Sequence, residues 1–284
     1  MLLWQALILG VIQGIGELFP VSSLAQTILL PALLGWDIDQ KGSDFLAFVV
    51  ALHLATAIAL LIYFWKDWRV ILLAFIGSAR RGKLVYDAAS KFAWLLVAGT
   101  IVVGAVGFLL ERRLRLFFDD PSYYWIVALI LIINGILMLV GDHLKRKSAP
   151  KDGNARKCAE DLTFPQGAII GATQTFALIP GISRSGVTII GGLLAGLDYA
   201  EASRFSFMLA TPVIGLAALL KLPGLLKNKG ALQLAIPSAV VAGITSYLSV
   251  AFLMRYFRHN RLSPFAYYCI ISGGISLAIL LHRG

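Results

Sequence analysis

Charge is what this chain has least of. Only 14% of its 284 residues are Asp, Glu, Lys or Arg, where a soluble domain carries about 25%. That scarcity excludes an ordinary soluble globule, which needs a charged surface. Acid is scarcer than base, 15 Asp and Glu against 25 Lys and Arg, for a net charge of +10. No basic motif interleaved with aromatics accompanies the excess, so no nucleic-acid partner is read. Basic loops facing the anionic lipid of a cytoplasmic leaflet account for it instead. Cysteine is nearly absent. Cys158 lies in a polar loop and Cys269 in an apolar segment, which argues against a disulfide and against any zinc spacing. The apolar opening Met1–Leu9 has no basic leader and no small-residue cleavage site, so no cleaved signal peptide is read.

What is abundant is hydrophobic residues, 58% of the chain, with a mean hydropathy of +0.81. The reading is an all-α polytopic membrane protein in a single domain, residues 1–284. A helix crosses the hydrocarbon core with about 20 apolar residues. Charge-free runs of that kind are Leu46–Trp65 (with His53 inside), Phe92–Leu110, Tyr123–Gly141, Phe205–Leu220, Ala231–Met254 and Ser263–Leu281. The fourth is short, but Arg204 and Lys221 can snorkel at its ends. Six transmembrane helices are expected.

Residues 1–35 and 164–197 are also long enough to span, yet each is interrupted near its middle, at Pro20 and at Pro180-Gly181. Proline removes a backbone donor and disfavours helix in the residue before it. Each region reads as two half-helices, a re-entrant helical hairpin, with a proline-kinked span as the bland alternative. Broken backbone is tolerated in a bilayer where it is buried in protein or lines a polar cavity. The two regions resemble each other. Gln13 precedes Pro20 and Gln174 precedes Pro180, serines follow both prolines, and Leu54-Ala55-Thr56 recurs as Leu209-Ala210-Thr211. Each hairpin is followed by three spans. An odd number of spans inverts the second copy, so the plan is an inverted repeat: 1–141, a cytoplasmic linker 142–163, and 164–284. Loops 66–91, 142–163 and 255–261 hold 15 Lys/Arg and the opposite face eight. The positive-inside rule puts the first set in the cytoplasm, with both termini and the mouth of the first hairpin outside. Val70–Ile76 reads as an interfacial helix.

Two lone ions stand in the interrupted regions. Glu17 is the one charge between Met1 and Asp37, and Arg184 the one between Asp161 and Asp198. An ion in the membrane costs at least ~2.5 kcal/mol and marks function by default. Ser22-Ser23 and Ser183-Arg184-Ser185 stand where the second half of each hairpin begins. A helix N-terminus offers free N–H groups and positive partial charge, and serine is a favoured N-cap. Two such N-termini with Arg184 between serines make a cage for phosphate oxygens. Glu17 does not fit anion binding. It could pair with Arg184, hold a divalent cation or act as a general base; a purely structural ion pair is the bland reading. His53 reads as a packed, hydrogen-bonded histidine. Gly191, Gly192 and Gly196 read as allowing close helix packing.

Gln13-x-x-x-Glu17 followed by Pro20-Val21-Ser22-Ser23, and Pro180-Gly181-Ile182-Ser183-Arg184-Ser185-Gly186, resemble the motifs of the bacitracin-resistance type undecaprenyl-pyrophosphate phosphatases. Phe205-Ser206-Phe207 and Pro264-Phe265 fit as well, and the similarity runs over the whole chain. The resemblance implies six spans with two re-entrant hairpins in the bacterial inner membrane. It implies hydrolysis of the terminal phosphate of undecaprenyl diphosphate at the outer face, in recycling of the carrier lipid for peptidoglycan synthesis. A divalent cation, Mg2+ or Ca2+, is implied as cofactor. Carried over, Glu17 serves as base or metal ligand and Ser23 as nucleophile. Arg184 holds the phosphate together with Ser22, Ser183, Ser185, Thr188, Gln13 and Gln174. The oligomeric state is left open, a homodimer included. The chain departs from the pattern at Gln26, where the family usually has histidine, at Arg204, where it has glutamate, and at Cys269, where it has arginine. It also has Asp198-Tyr199 where an arginine is usual. These departures bear on hydrolysis more than on binding, and leave a non-hydrolytic polyprenyl-phosphate flippase as the alternative.

Overall fold

Backbone buried in hydrocarbon must satisfy its own hydrogen bonds, so charge-free runs of Leu, Ile, Val and Ala can be stable there only as helices or closed barrels. The computed structural model describes residues 1–40, 42–118, 121–147, 157–227 and 229–283. Residues 148–156 of the expected linker lie outside the described residues. Among the described residues there are eleven α-helices and no strand. They are α1 (Leu3–Gly16), α2 (Ser23–Leu34), α3 (Ser43–Tyr63), α4 (Trp65–Arg81), α5 (Ala88–Phe118), α6 (Tyr124–Lys147), α7 (Phe164–Thr173), α8 (Arg184–Leu194), α9 (Tyr199–Lys227), α10 (Lys229–Tyr256) and α11 (Ser263–Arg283). Six stretches are long and apolar enough to cross a bilayer: Asp44–Tyr63, Ala88–Gly107, Pro121–Lys147, Tyr199–Pro223, Leu232–Tyr256 and Ser263–Arg283. Each contains or overlaps one of the six charge-free runs.

The two interrupted regions are pairs of short helices. α1 ends at Gly16 and α2 starts at Ser23; α7 passes into a 3-10 turn over Gln174–Leu178 before α8 starts at Arg184. In the first pair the start of α1 and the end of α2 meet, with Trp4 edge-on to Trp36 at 5.1 Å. In the second, the Lys157 ammonium donates to Gln166 Oε1 and to the carbonyl of Ala195, tying the start of α7 to the end of α8.

Packing pairs the helices across the chain. α3 lies against α9 and α10, α6 against α11, α1 against α10, and α7 against α5. Glycine makes the closest of these approaches possible. A Cβ on Gly135 would come within 2.6 Å of the Ala266 carbonyl, and one on Gly273 within 2.8 Å of the Ala128 carbonyl, so α6 and α11 interlock reciprocally. Gly192 does the same for α8 against Ala202 of α9, as expected for that glycine cluster. Gly196 instead takes a positive φ of 101° in the turn after α8, and Gly191 makes only ordinary contact with α7.

α4 is longer than the expected 70–76 segment. It buries Trp68, Ile71, Ala74 and Ser78 along one face and exposes Lys66, Arg69, Arg80 and Arg81. Ser78 anchors it to α5 by accepting from Trp94 Nε1 at 3.0 Å. At the same end of the molecule Arg204 bonds Asp67 at 2.8 Å and Glu160 at 2.9 Å, with Glu201 at 3.5 Å. Three carboxylates therefore surround the arginine that stands where the resembled family has glutamate.

Candidate active site

The breaks between α1 and α2 and between α7 and α8 meet in the interior. Glu17 closes the C-terminus of α1, and its side chain is 9% exposed. Its Oε1 accepts from Arg184 Nη2 at 2.9 Å. Its Oε2 accepts from Ser23 Oγ at 2.6 Å and from Gln13 Nε2 at 3.0 Å, and faces His53 Nε2 at 3.4 Å. Gln13 reaches it because residues four apart share a helix face. His53 comes from α3 and is held from behind, its Nδ1 2.9 Å from the Val49 carbonyl.

Both helix starts are capped by the expected serines. Ser22 caps α2, its Oγ accepting from the Ala25 amide. It is the one non-glycine residue with positive φ among those described, at 61°, a left-handed conformation that costs a non-glycine residue of order 1–3 kcal/mol. Ser183 caps α8 by accepting from the Gly186 amide at 3.2 Å.

All of these side chains except Gln13 line a cavity of about 410 Å³. Glu17, Ser22, Ser23, His53, Gln174, Ser183 and Arg184 are its polar lining; Leu24, Ile28, Phe45, Leu46, Val49, Leu178 and Val213 are among its apolar walls, with Gln40 and Lys221 also contributing. Arg184 Nη1 and both amide atoms of Gln174 are buried without a hydrogen-bond partner in the protein. An unpaired buried polar group costs about 1–3 kcal/mol, and both residues line the cavity.

Not every expected site residue reaches the cavity wall. Gln13 lies behind Glu17. Ser185 Oγ donates to the Phe19 carbonyl at 3.2 Å, and Thr188 bonds the carbonyls of Arg184 and Ser185 and the Ser206 hydroxyl. Ser185 therefore braces the two tips and Thr188 braces α8 against α9, because on α8 they point into packing rather than into the cavity. Gln26 is also outside the wall. Its Nε2 donates to the Val21 carbonyl at 3.4 Å and its Oε1 accepts from the Tyr268 hydroxyl at 3.3 Å. The imidazole beside Glu17 belongs to His53 of α3, a hydrogen-bonded histidine that also reaches the carboxylate.

The donor set also bears on the implied cation. Glu17 is the one carboxylate among the cavity residues. That fits a divalent cation held by one carboxylate plus substrate phosphates, and not a dedicated all-protein cage. The one cluster of three ligand-type side chains among the described residues, Cys158, Glu160 and Glu201, lies elsewhere. There Arg204 already neutralises the glutamates, and slight desolvation of the exposed Cys158 thiol together with Glu201, Asp161 and Glu160 holds it above its ordinary range.

Residues 6–275 match the family described as bacitracin resistance protein BacA. Among curated relatives, an undecaprenyl-diphosphatase of Acidiphilium cryptum is 43% identical, covering 97% of both chains. One from Granulibacter bethesdensis is 45% identical over 97% of this chain and 96% of its own. Undecaprenyl-diphosphatase 2 of Burkholderia ambifaria is 45% identical over 99% of each.

Proposed function

The chain belongs to the bacitracin resistance protein BacA family, and from that premise we infer that it is an undecaprenyl-diphosphatase, an integral membrane hydrolase. It removes the terminal phosphate of undecaprenyl diphosphate and leaves undecaprenyl phosphate. The names of the relatives favour hydrolysis over the non-hydrolytic carrier.

The observation that carries the site assignment is the pair of unpartnered donors, Arg184 Nη1 and Gln174 Nε2, on residues lining a cavity with two helix N-termini. Such a cage suits phosphate oxygens. Ser23 Oγ, already 2.6 Å from Glu17 Oε2, is the nucleophile. As Arg184 Nη1 binds the terminal phosphate while Nη2 stays on Oε1, the guanidinium charge is shared, its hold on Glu17 loosens and Glu17 becomes a stronger base. It takes the Ser23 proton as Oγ bonds to the terminal phosphorus. The bond from that phosphorus to the bridging oxygen breaks, and the lipid monophosphate leaves with the electron pair. The departing lipid phosphate takes that proton from Glu17, and the freed carboxylate deprotonates a water that attacks the phosphoserine phosphorus; the bond from phosphorus to Ser23 Oγ breaks, Oγ recovers the proton from Glu17, and phosphate is released. Arg184 stabilises the charge developing on the equatorial oxygens in both steps. A divalent cation bound with the diphosphate would be held by its phosphate oxygens and Glu17, and would neutralise part of its charge.

The α1–α2 and α7–α8 pairs are re-entrant hairpins of an inverted repeat, a reading supported by the contacts that return each pair to one end. The matched pairings of α1 with α10 and of α7 with α5 support the repeat. The cavity opens away from the cytoplasm, since Gln40 and Lys221 stand at the end opposite the Asp67–Arg204–Glu160 cluster. The test is phosphate release from undecaprenyl diphosphate by purified protein. Release is expected from the wild type and not from Arg184→Ala; none above a Glu17→Ala control, with Mg2+ or Ca2+ supplied, would refute the assignment.

A further inference from the structure

The two tips are joined by more than their ion pair. Asn134, at the middle of α6, is 1% exposed. Its Oδ1 accepts from the backbone amide of Ser183 at 2.9 Å, and its Nδ2 donates to the carbonyl of Pro20 at 3.3 Å and toward Cys269 Sγ at 3.5 Å. Pro20 precedes the N-cap of α2, and Ser183 is the N-cap of α8. One side-chain amide thus holds the starts of both helices whose first residues line the cavity. The second tie is Ser185 Oγ to the Phe19 carbonyl. The third, Arg184 to Glu17, is the one that phosphate would loosen.

We propose that Asn134 is a positioning residue that sets the separation of the two helix N-termini, and so the alignment of Ser23 against a phosphate held by Arg184. This rests on the diphosphatase reading. Asn134 does not line the cavity and touches no substrate atom. Its effect therefore falls on alignment, where a displacement of about 1 Å can cost on the order of 100-fold in rate, and not on lipid binding, which the apolar walls supply.

The experiment is steady-state phosphate release from undecaprenyl diphosphate by wild type, Asn134→Leu and Asn134→Gln, each checked for folding by gel filtration and thermal melting. Asn134→Leu removes both tip bonds; kcat falls by about 100-fold while KM stays within about threefold. Asn134→Gln supplies the same amide one methylene further out and recovers part of kcat. A folded Asn134→Leu with kcat within threefold of wild type, or with a loss carried by KM, overturns the proposal. Should Asn134→Leu not fold, Ser185→Ala cuts the second tie. A drop of about tenfold in its kcat at unchanged KM supports tip spacing, and wild-type kcat overturns it. A wild type that releases no phosphate sinks the diphosphatase reading and the proposal with it; an active wild type beside a kcat-normal variant sinks the proposal alone.

Discussion

Arg184→Lys separates charge from shape. The arginine performs two tasks with two nitrogens. Nη2 lies 2.9 Å from Glu17 Oε1, and Nη1 is buried with no protein partner. Lysine keeps the positive charge but concentrates it in one ammonium. That ammonium can stay on Glu17 or move to the phosphate. The fold is expected to survive, because Glu17 is not left as an unpaired buried charge, an outcome that costs about 3–5 kcal/mol. Catalysis is not. Loss of one preorganised donor to the developing oxyanion costs about 100- to 1,000-fold in kcat, or roughly 2.7–4 kcal/mol. Arg184→Lys should therefore melt within a few degrees of wild type and release phosphate at least about 100-fold more slowly. Arg184→Ala should lose both activity and stability. The assay pairs thermal melting in detergent with phosphate release from undecaprenyl diphosphate. An Arg184→Lys enzyme with more than a tenth of wild-type kcat would show that the planar fork is not used, and the division of labour between Nη1 and Nη2 would fall.

Three further outcomes follow from the same geometry. Ser23→Ala should lower kcat by at least about 1,000-fold if Oγ is the nucleophile; a loss below tenfold would transfer that role to water activated by Glu17. His53→Leu should slow phosphate release by about tenfold or more, in the range of a hydrogen-bonding partner to the base, and His53→Gln should retain more activity by keeping an N–H toward Glu17. Equal rates for the two variants would refute a polar role for His53. Gln26→His should change phosphate release by less than about threefold, since side chain 26 is held against Tyr268 and outside the cavity wall. A large gain would return the proton-transfer role to that position.

The spans were legible because charge marks where a helix must leave the bilayer, and the Glu17–Arg184 pair because each ion stood alone in its apolar run. Position along the chain sufficed for both. Which way a side chain faces inside a bundle did not follow from position. His53 and Asn134 each sit in a span that is apolar almost throughout, so no polar stripe identified the face toward the cavity or the tips. Ser185 and Thr188 lay in the right motif, but the turn of α8 directs them into packing. The likeness of Gln13 and Gln174 suggested equivalent roles. The structure distinguishes them because the first region alone carries a carboxylate: Gln13 bonds Glu17, while Gln174 bonds nothing in the protein.

The bracket at Asn134 has a consequence for biogenesis. During synthesis α6 emerges before the second tip exists and well before α11. Until Ser183 arrives, the Asn134 carbonyl oxygen lacks its amide, and until α11 docks, no thiol from Cys269 stands beside the carboxamide nitrogen. Polar groups in hydrocarbon without partners are unfavourable, so the half-made protein is under pressure to keep α6 accessible to later helices rather than sealed against lipid. The reciprocal glycines of α6 and α11 then close the assembly. The catalytic geometry is therefore completed from the C-terminal side of the chain, by a helix that contributes no residue to the cavity wall.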